Sequence, residues 1–230
     1  MEIWIASRWA ALARSATMAA AGLTLVACSV VGVRDGTAEP RFETRARLGD
    51  VEIRDYGPRL AAEALVTIDE VRGDEMAARN AGFRRVAGYI FGANRSGEKI
   101  AMTAPVAQES TRGGTGETIA MTAPVAQERD ARGGWRIRFF LPADRVWETL
   151  PIPNDPAVEL VRVPASRMAA LRFTGDRGAD SVAARKAELL AALESGAWQA
   201  VGEPVSWFFD PPWTLAWFRR NEVAVPVVAR

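Results

Sequence analysis

Apolar and polar positions along the chain follow two rhythms, and these recur in the same order in each half. In "VEIRDYGPRLAAEALVTI" (51–68) two strand-like runs flank Gly57-Pro58, a pair that marks a turn. "GDEMAARNAGFRRVAGYIFGANRSG" (73–97) carries Met76, Ala77, Phe83, Val86, Ala87 and Ile90 at the spacing of one helix face. Asp74 stands near the start of that helix and Gly92-Ala-Asn94 ends it, while Gly82 and Gly88 weaken it locally. Alternation returns at Ile100, Met102, Ala104 and Val106, predicting a strand with Met102 inward and with Pro105 at an edge or a bulge. "WRIRFFLP" (135–142) is a firmer strand, entered through Gly133-Gly134. "AVELVRVP" and "SRMAALRFTG" read as a further hairpin with Pro164 near its turn, and "DSVAARKAELLAALESG" (180–196) reads as a second helix ended by Gly196. "EPVSWFFD" and "EVAVPVVA" are strands flanking the loop "PPWTLAWFRRN". Two similar halves of strands, helix and strands imply an α+β domain: a curved antiparallel sheet carrying two helices.

One phrase breaks the rhythm. "IAMTAPVAQE" occurs at 100–109 and again, identically, at 119–128. Two copies make no solenoid. The pattern suggests a nineteen-residue duplication that lengthens one hairpin at a sheet edge, with Gly113, Gly114 and Gly116 in the connecting turn. The copies would then pair antiparallel to each other, or one would sit in the sheet and the other extend from it.

Composition narrows the chemistry. The formal net charge is +1 and basic residues are scattered, so the electrostatic footprint of a nucleic-acid binder is missing. There is no histidine, which removes Ser-His and Cys-His machinery and the commonest haem ligand. The single cysteine, Cys28, excludes an intrachain disulfide and a Cys-rich zinc site. "RGGTGE" lacks the lysine and the helix of a phosphate-binding loop. Asp210 with Arg219, Arg220 and Glu222 reads as charges that close a proline-stiffened loop rather than a catalytic cluster.

The amino terminus adds an address. Arg8 and Arg14 precede an uncharged stretch from Ser15 to Ala27, too short to span a bilayer comfortably but suited to an export signal. It ends in Leu25-Val26-Ala27-Cys28, which resembles a bacterial lipobox; a plain signal peptide with an incidental cysteine is the alternative. Residues 1–28 are then a signal peptide, 29–47 a tether and 48–230 the folded domain. Acyl chains on Cys28 would hold that domain at the cell envelope, facing the periplasm or the outside.

"VEIRDYGPRLAAEA", "GFRRVAGYIFGANRSGEKIAMTAPV", "FFLP", "TLPIPNDPAVELVRVP" and "FFDPPWTLAWFRRNEV" together resemble the SOUL haem-binding protein family. The resemblance runs from about Asp50 to Val227, with "KIAMTAPV" and "DPP…RRNEV" as its most specific pieces. It implies a duplicated βαββ unit arranged as a distorted barrel-like sheet, and non-covalent binding of haem or a porphyrin between the first helix and the last loop. Carried over by position, the helix contributes Asn80, Phe83, Arg84, Ala87 and Tyr89, and the loop contributes Trp213, Trp217, Phe218 and Arg219. An axial histidine is impossible here; Met76, Met102, Met121, Tyr56 and Tyr89 carry groups that iron accepts, though each also reads as a core or edge residue. The expectation is a membrane-tethered tetrapyrrole-binding protein that is not an enzyme. A small-molecule hydrolase on the same scaffold and an envelope interaction protein without a small ligand are the alternatives.

Overall fold

The computed structural model describes residues 37–110, 133–194, 196–211 and 213–230. Within them, ten strands form one curled antiparallel sheet: β1 (Phe42–Leu48), β2 (Val51–Tyr56), β3 (Arg59–Thr67), β4 (Val106–Ser110), β5 (Gly134–Phe140), β6 (Val158–Val163), β7 (Ser166–Phe173), β8 (Trp198–Ala200), β9 (Val205–Phe208) and β10 (Asn221–Ala229). Two helices accompany it, α1 (Glu75–Ile90) and α2 (Ala179–Glu194). The strands run in the order β1-β2-β7-β10-β9-β4-β5-β3-β6, with β8 added alongside β10.

That order is symmetric about the β9–β4 pair. β10, β7 and β2 on one side match β5, β3 and β6 on the other. The two helices are the matching crossovers, so the halves foreseen in the pattern are real, but their strands are shared out differently. β2 does not pair with β3 across Gly57-Pro58, nor β6 with β7 across Pro164; β2 pairs with β7 and β3 with β6. The expected hairpin of 157–175 is therefore a corner, where the chain leaves one half of the sheet for the other. Short apolar runs reveal a strand but not its partner, because any strand of like alternation can satisfy the same backbone groups.

Each helix covers one half. Asp74 caps α1 by accepting from the amides of Met76 at 2.8 Å and Ala77 at 3.0 Å. Its buried face, Ala78, Gly82, Val86, Ala87, Tyr89 and Ile90, lies on Ala62, Ala64 and Val66 of β3 and on Ile137 and Phe139 of β5. Val182, Leu189 and Leu193 of α2 meet Ile53, Ala169, Leu171, Val223 and Val225 in the other half.

The opposite face of the sheet holds a second apolar cluster, with Tyr56, Phe140, Met168, Trp207 and Phe209, and beside it a buried ion-pair network. Arg54 of β2 donates to Glu222 of β10 at 2.6 Å and to Glu52 at 2.9 Å. Arg220 donates to Glu222 at 2.9 and 3.0 Å and to Glu39 at 3.0 Å. Burial works against the charge on Arg54, yet the hydrogen bond and charge of Glu222 outweigh it and hold the guanidinium above its ordinary pKa.

The twice-written phrase takes a different place from the one expected. Only Val106 onward of the first copy is strand; residues 100–105 reach it by an irregular path, and Met102 is exposed rather than inward. β4 is not an edge either. It lies between β5 and β9, so along Val106–Gln108 both of its sides are taken and pairing with the second copy is excluded there. The second copy and Gly113, Gly114 and Gly116 lie outside the described residues. Residues 42–47, expected in the tether, belong to β1, which pairs with β2 from Phe42↔Tyr56 to Leu48↔Val51.

Two expected outcomes follow from these contacts. A Cβ built on Gly82 would stand 2.7 Å from the Ile137 side chain, because α1 touches β5 there. Gly82→Ala gains about 1 kcal/mol of helix propensity but overpacks the core by about 1–3 kcal/mol, so its thermal midpoint should fall rather than rise. Glu222→Gln leaves Arg54 and Arg220 facing each other without the shared carboxylate. It should lower unfolding free energy in urea by about 3–5 kcal/mol, and an unchanged midpoint would contradict a structural role for the network.

Candidate ligand-binding site

The helices leave the middle of the sheet thinly covered, and a cavity of about 460 Å³ opens there. Its floor is Val106 of β4, Phe139 of β5 and Phe208 of β9; one wall is Arg79, Asn80 and Phe83 of α1; the other is the chain from Phe209 to Pro211, with Trp213. Phe91 and the segment Met102, Thr103 and Ala104 complete the rim, and Thr37 reaches it from the amino-terminal side. The volume falls in the usual range for small-molecule sites, about 300–1,000 Å³.

Local chemistry explains why these side chains meet. Arg79, Asn80 and Phe83 are spaced to share one side of α1. The Phe83 ring lies 5.3 Å from that of Phe139, which ties the wall to the floor. Beyond the helix, Gly92 adopts φ +107°, and the buried Asn94 organises the turn. Its amide donates to the carbonyls of Tyr89 and Glu98, and its oxygen accepts from Ser96 and the Glu98 amide. That turn delivers residues 102–104 to the rim, where the Thr103 hydroxyl donates to the Phe140 carbonyl. The far wall is closed by Asp210, which accepts from the Arg220 amide at 2.6 Å, and by Arg219, which donates to the Thr214 carbonyl at 2.7 Å.

Cations mark one end of the cavity. Arg79 donates to the Arg177 carbonyl at 3.2 Å, Arg177 donates to the Asp210 carbonyl at 3.1 Å, and both guanidiniums lie over the Phe208 ring. Neither pairs with a carboxylate among the described residues. Burial, with Arg79 and Arg219 nearby, pushes Arg177 down to about 10, and burial lowers Arg79 as well. Arg79 and Arg177, partly desolvated and with Arg219 near enough to add its charge, make an end of the pocket that favours an anion.

Of the residues expected from the sequence, Asn80, Phe83 and Trp213 line this cavity. Arg219 stands outside the lining but close enough for Arg79 and Arg177 to feel its charge. Arg84 points to solvent, Ala87 is buried against the sheet, and Trp217 and Phe218 are exposed on the outer side of the loop. Tyr89 is in the α1 core and outside the cavity lining; its hydroxyl has no partner among the described residues, and burial pushes it up to about 12. Tyr56 lies in the cluster on the opposite face, and Met76 is exposed outside the cavity. Met102 does line it, and Met121 is outside the described residues. Arg79 was readable as the residue one helical turn before Phe83; Arg177, in the loop ahead of α2, carried no such sign.

A broader groove of about 860 Å³ lies elsewhere, over Arg59, Phe140, Arg145, Trp147 and Arg162. Three of its cations are engaged: Arg59 on the rings of Tyr56 and Phe140, Arg145 with Glu98, and Arg162 with Glu148. Among the described residues no cluster of acidic side chains is arranged to hold a metal ion.

Comparisons with solved structures agree on the fold. EcmrR in its DNA complex is 10% identical with a TM-score of 0.54; the match covers 78% of this chain and 57% of that one, so this chain spans little more than half of that protein. An uncharacterized conserved protein from Listeria innocua is 12% identical with a TM-score of 0.54, over 78% and 92% of the two chains. A hydrolase from Listeria innocua is 11% identical with a TM-score of 0.52, over the same shares. At such identities the likeness is one of fold alone. No curated protein matches the sequence. The SOUL heme-binding protein model, in contrast, matches residues 37–115 and 110–226. Those stretches span both helices and the cavity, and the chain belongs to the SOUL haem-binding protein family.

Proposed function

We propose that this chain binds haem or a related tetrapyrrole non-covalently in the cavity between α1 and the loop after β9, as a domain tethered to a membrane outside the cytoplasm. The observation that carries the reading is the pairing of an apolar pocket of about 460 Å³ with Arg79 and Arg177 at one end, neither of them paired with a carboxylate among the described residues. A tetrapyrrole has that same polarity: a flat apolar ring with acidic side chains on one edge. Phe83, Phe139 and Phe208 would contact the ring, and Arg79 and Arg177 would face the carboxylates.

Iron is not what the pocket is built around. With no histidine in the chain, the soft donor among the lining residues is the Met102 thioether at the rim. Binding therefore rests on the macrocycle and its carboxylates, and metal-free porphyrin should bind about as well as haem. A hydrolytic role finds less support. The carboxylate in the lining, Asp210, is held by the Arg220 amide, and its place is structural. Membrane attachment rests on the lipobox-like Leu25-Val26-Ala27-Cys28; among the described residues no helix is long and apolar enough to cross a membrane.

Titration with hemin and with metal-free protoporphyrin should give a saturable Soret shift at one equivalent for both ligands. Phe83→Ala should weaken both. Arg177→Met should weaken both by roughly tenfold or more, the worth of one charge-assisted contact, and should do far less to a porphyrin whose carboxylates are esterified. No shift beyond that of a control protein would sink the reading. Separately, Cys28→Ser should move the protein out of the membrane fraction; retention there would contradict lipid anchoring.

A further inference from the structure

The loop after β9 turns its largest apolar side chains away from the core. Trp213 and Trp217 are 62% and 67% exposed, with Leu215 and Phe218 exposed between and beside them. Phe91 is exposed across the mouth of the same cavity that Trp213 borders. A cluster of large apolar groups left in water marks a surface meant to be covered. Its makeup suits lipid, since tryptophan rings settle at the membrane–water boundary.

An independent observation says where a membrane would be. Thr37, the first described residue, lines the cavity mouth. The chain is pinned there: the Ala104 amide donates to the Ala38 carbonyl at 2.9 Å, and Ala38 forms a parallel bridge with Thr103. Cys28 lies nine residues upstream of Thr37, a span of at most about 30 Å when fully extended. An anchor at Cys28 therefore keeps the cavity mouth, and the aromatic loop beside it, within that distance of the bilayer. Held so close, the loop needs only weak affinity to stay engaged, because tethering turns docking into an intramolecular event.

We infer that residues 213–218 dock into the lipid interface with the cavity mouth turned toward the bilayer, so that an amphiphilic tetrapyrrole passes between membrane and pocket without crossing bulk water. This rests on the lipid-anchored, tetrapyrrole-binding reading above.

The test uses mature protein purified from membranes and reconstituted into vesicles with or without brominated acyl chains, which quench only tryptophans that reach the lipid. Part of the fluorescence should be quenched, and the Trp213→Tyr, Trp217→Tyr double variant should lose most of that quenching. Both positions are exposed, so the variant should fold, and Trp135, Trp147, Trp198 and Trp207 remain as an internal reference. No quenching in the parent, or equal quenching in the variant, overturns the docking. A parent chain that fractionates as soluble overturns it as well. The porphyrin titration in solution reports on the pocket alone, so loss of docking and loss of ligand binding are told apart.

Discussion

The structure depends on the antiparallel contact between β4 and β9, from Val106↔Phe208 to Gln108↔Ser206. It is where the two halves of the sheet join. Each half has its own helix and its own apolar cluster, α1 over β3 and β5 and α2 over β7 and β10. Two helices set over separate halves leave the join between them only partly covered, and the cavity opens over that join. Its floor is drawn from β5, β4 and β9 together, so neither half could form it alone.

A second constraint works on the other face. β2 and β6 are each paired into the half to which the neighbouring strand in sequence does not belong, and this exchange ties the halves together at their outer ends. Arg54, Glu222 and Arg220 fix β2 relative to β10 in the same region. Buried charges give a join of this kind a definite geometry, since a shifted register would strand an unpaired guanidinium or carboxylate. The Glu39 contact to Arg220 extends the network to the amino-terminal segment, which then runs on to the cavity mouth. Sheet closure and the position of the chain entry are thus coupled.

Legibility differed by range. Helix α1 was plain because local rules coincide there: Asp74 at the cap, an apolar face, and the Gly92–Asn94 stop. Phe83 followed from that face, and Asn80 from the family resemblance. Trp217 and Phe218 shared the composition of Trp207, Phe208 and Phe209, yet the former pair is exposed and the latter three are buried. Nothing in an aromatic run says which members turn inward; the backbone path through residues 209–219 decides it. Arg177 was invisible for the same reason, lying far in sequence from Arg79 and brought beside it only by the seating of α2.

What the sequence determined by itself was local and compositional: both helices and most of the strands, that the pattern occurs twice, that no histidine is present to hold iron, and the family-specific phrases around residues 100 and 210. These follow from nearest-neighbour conformational preference and side-chain chemistry, which need no tertiary partner. Tertiary structure alone decided which strands pair, that only the end of the first "IAMTAPVAQE", from Val106, enters the middle of the sheet, and that Arg79 and Arg177 meet at one end of a cavity. Backbone hydrogen bonding is indifferent to sequence, so partner choice is made by burial on both faces at once, and that is a property of the whole sheet.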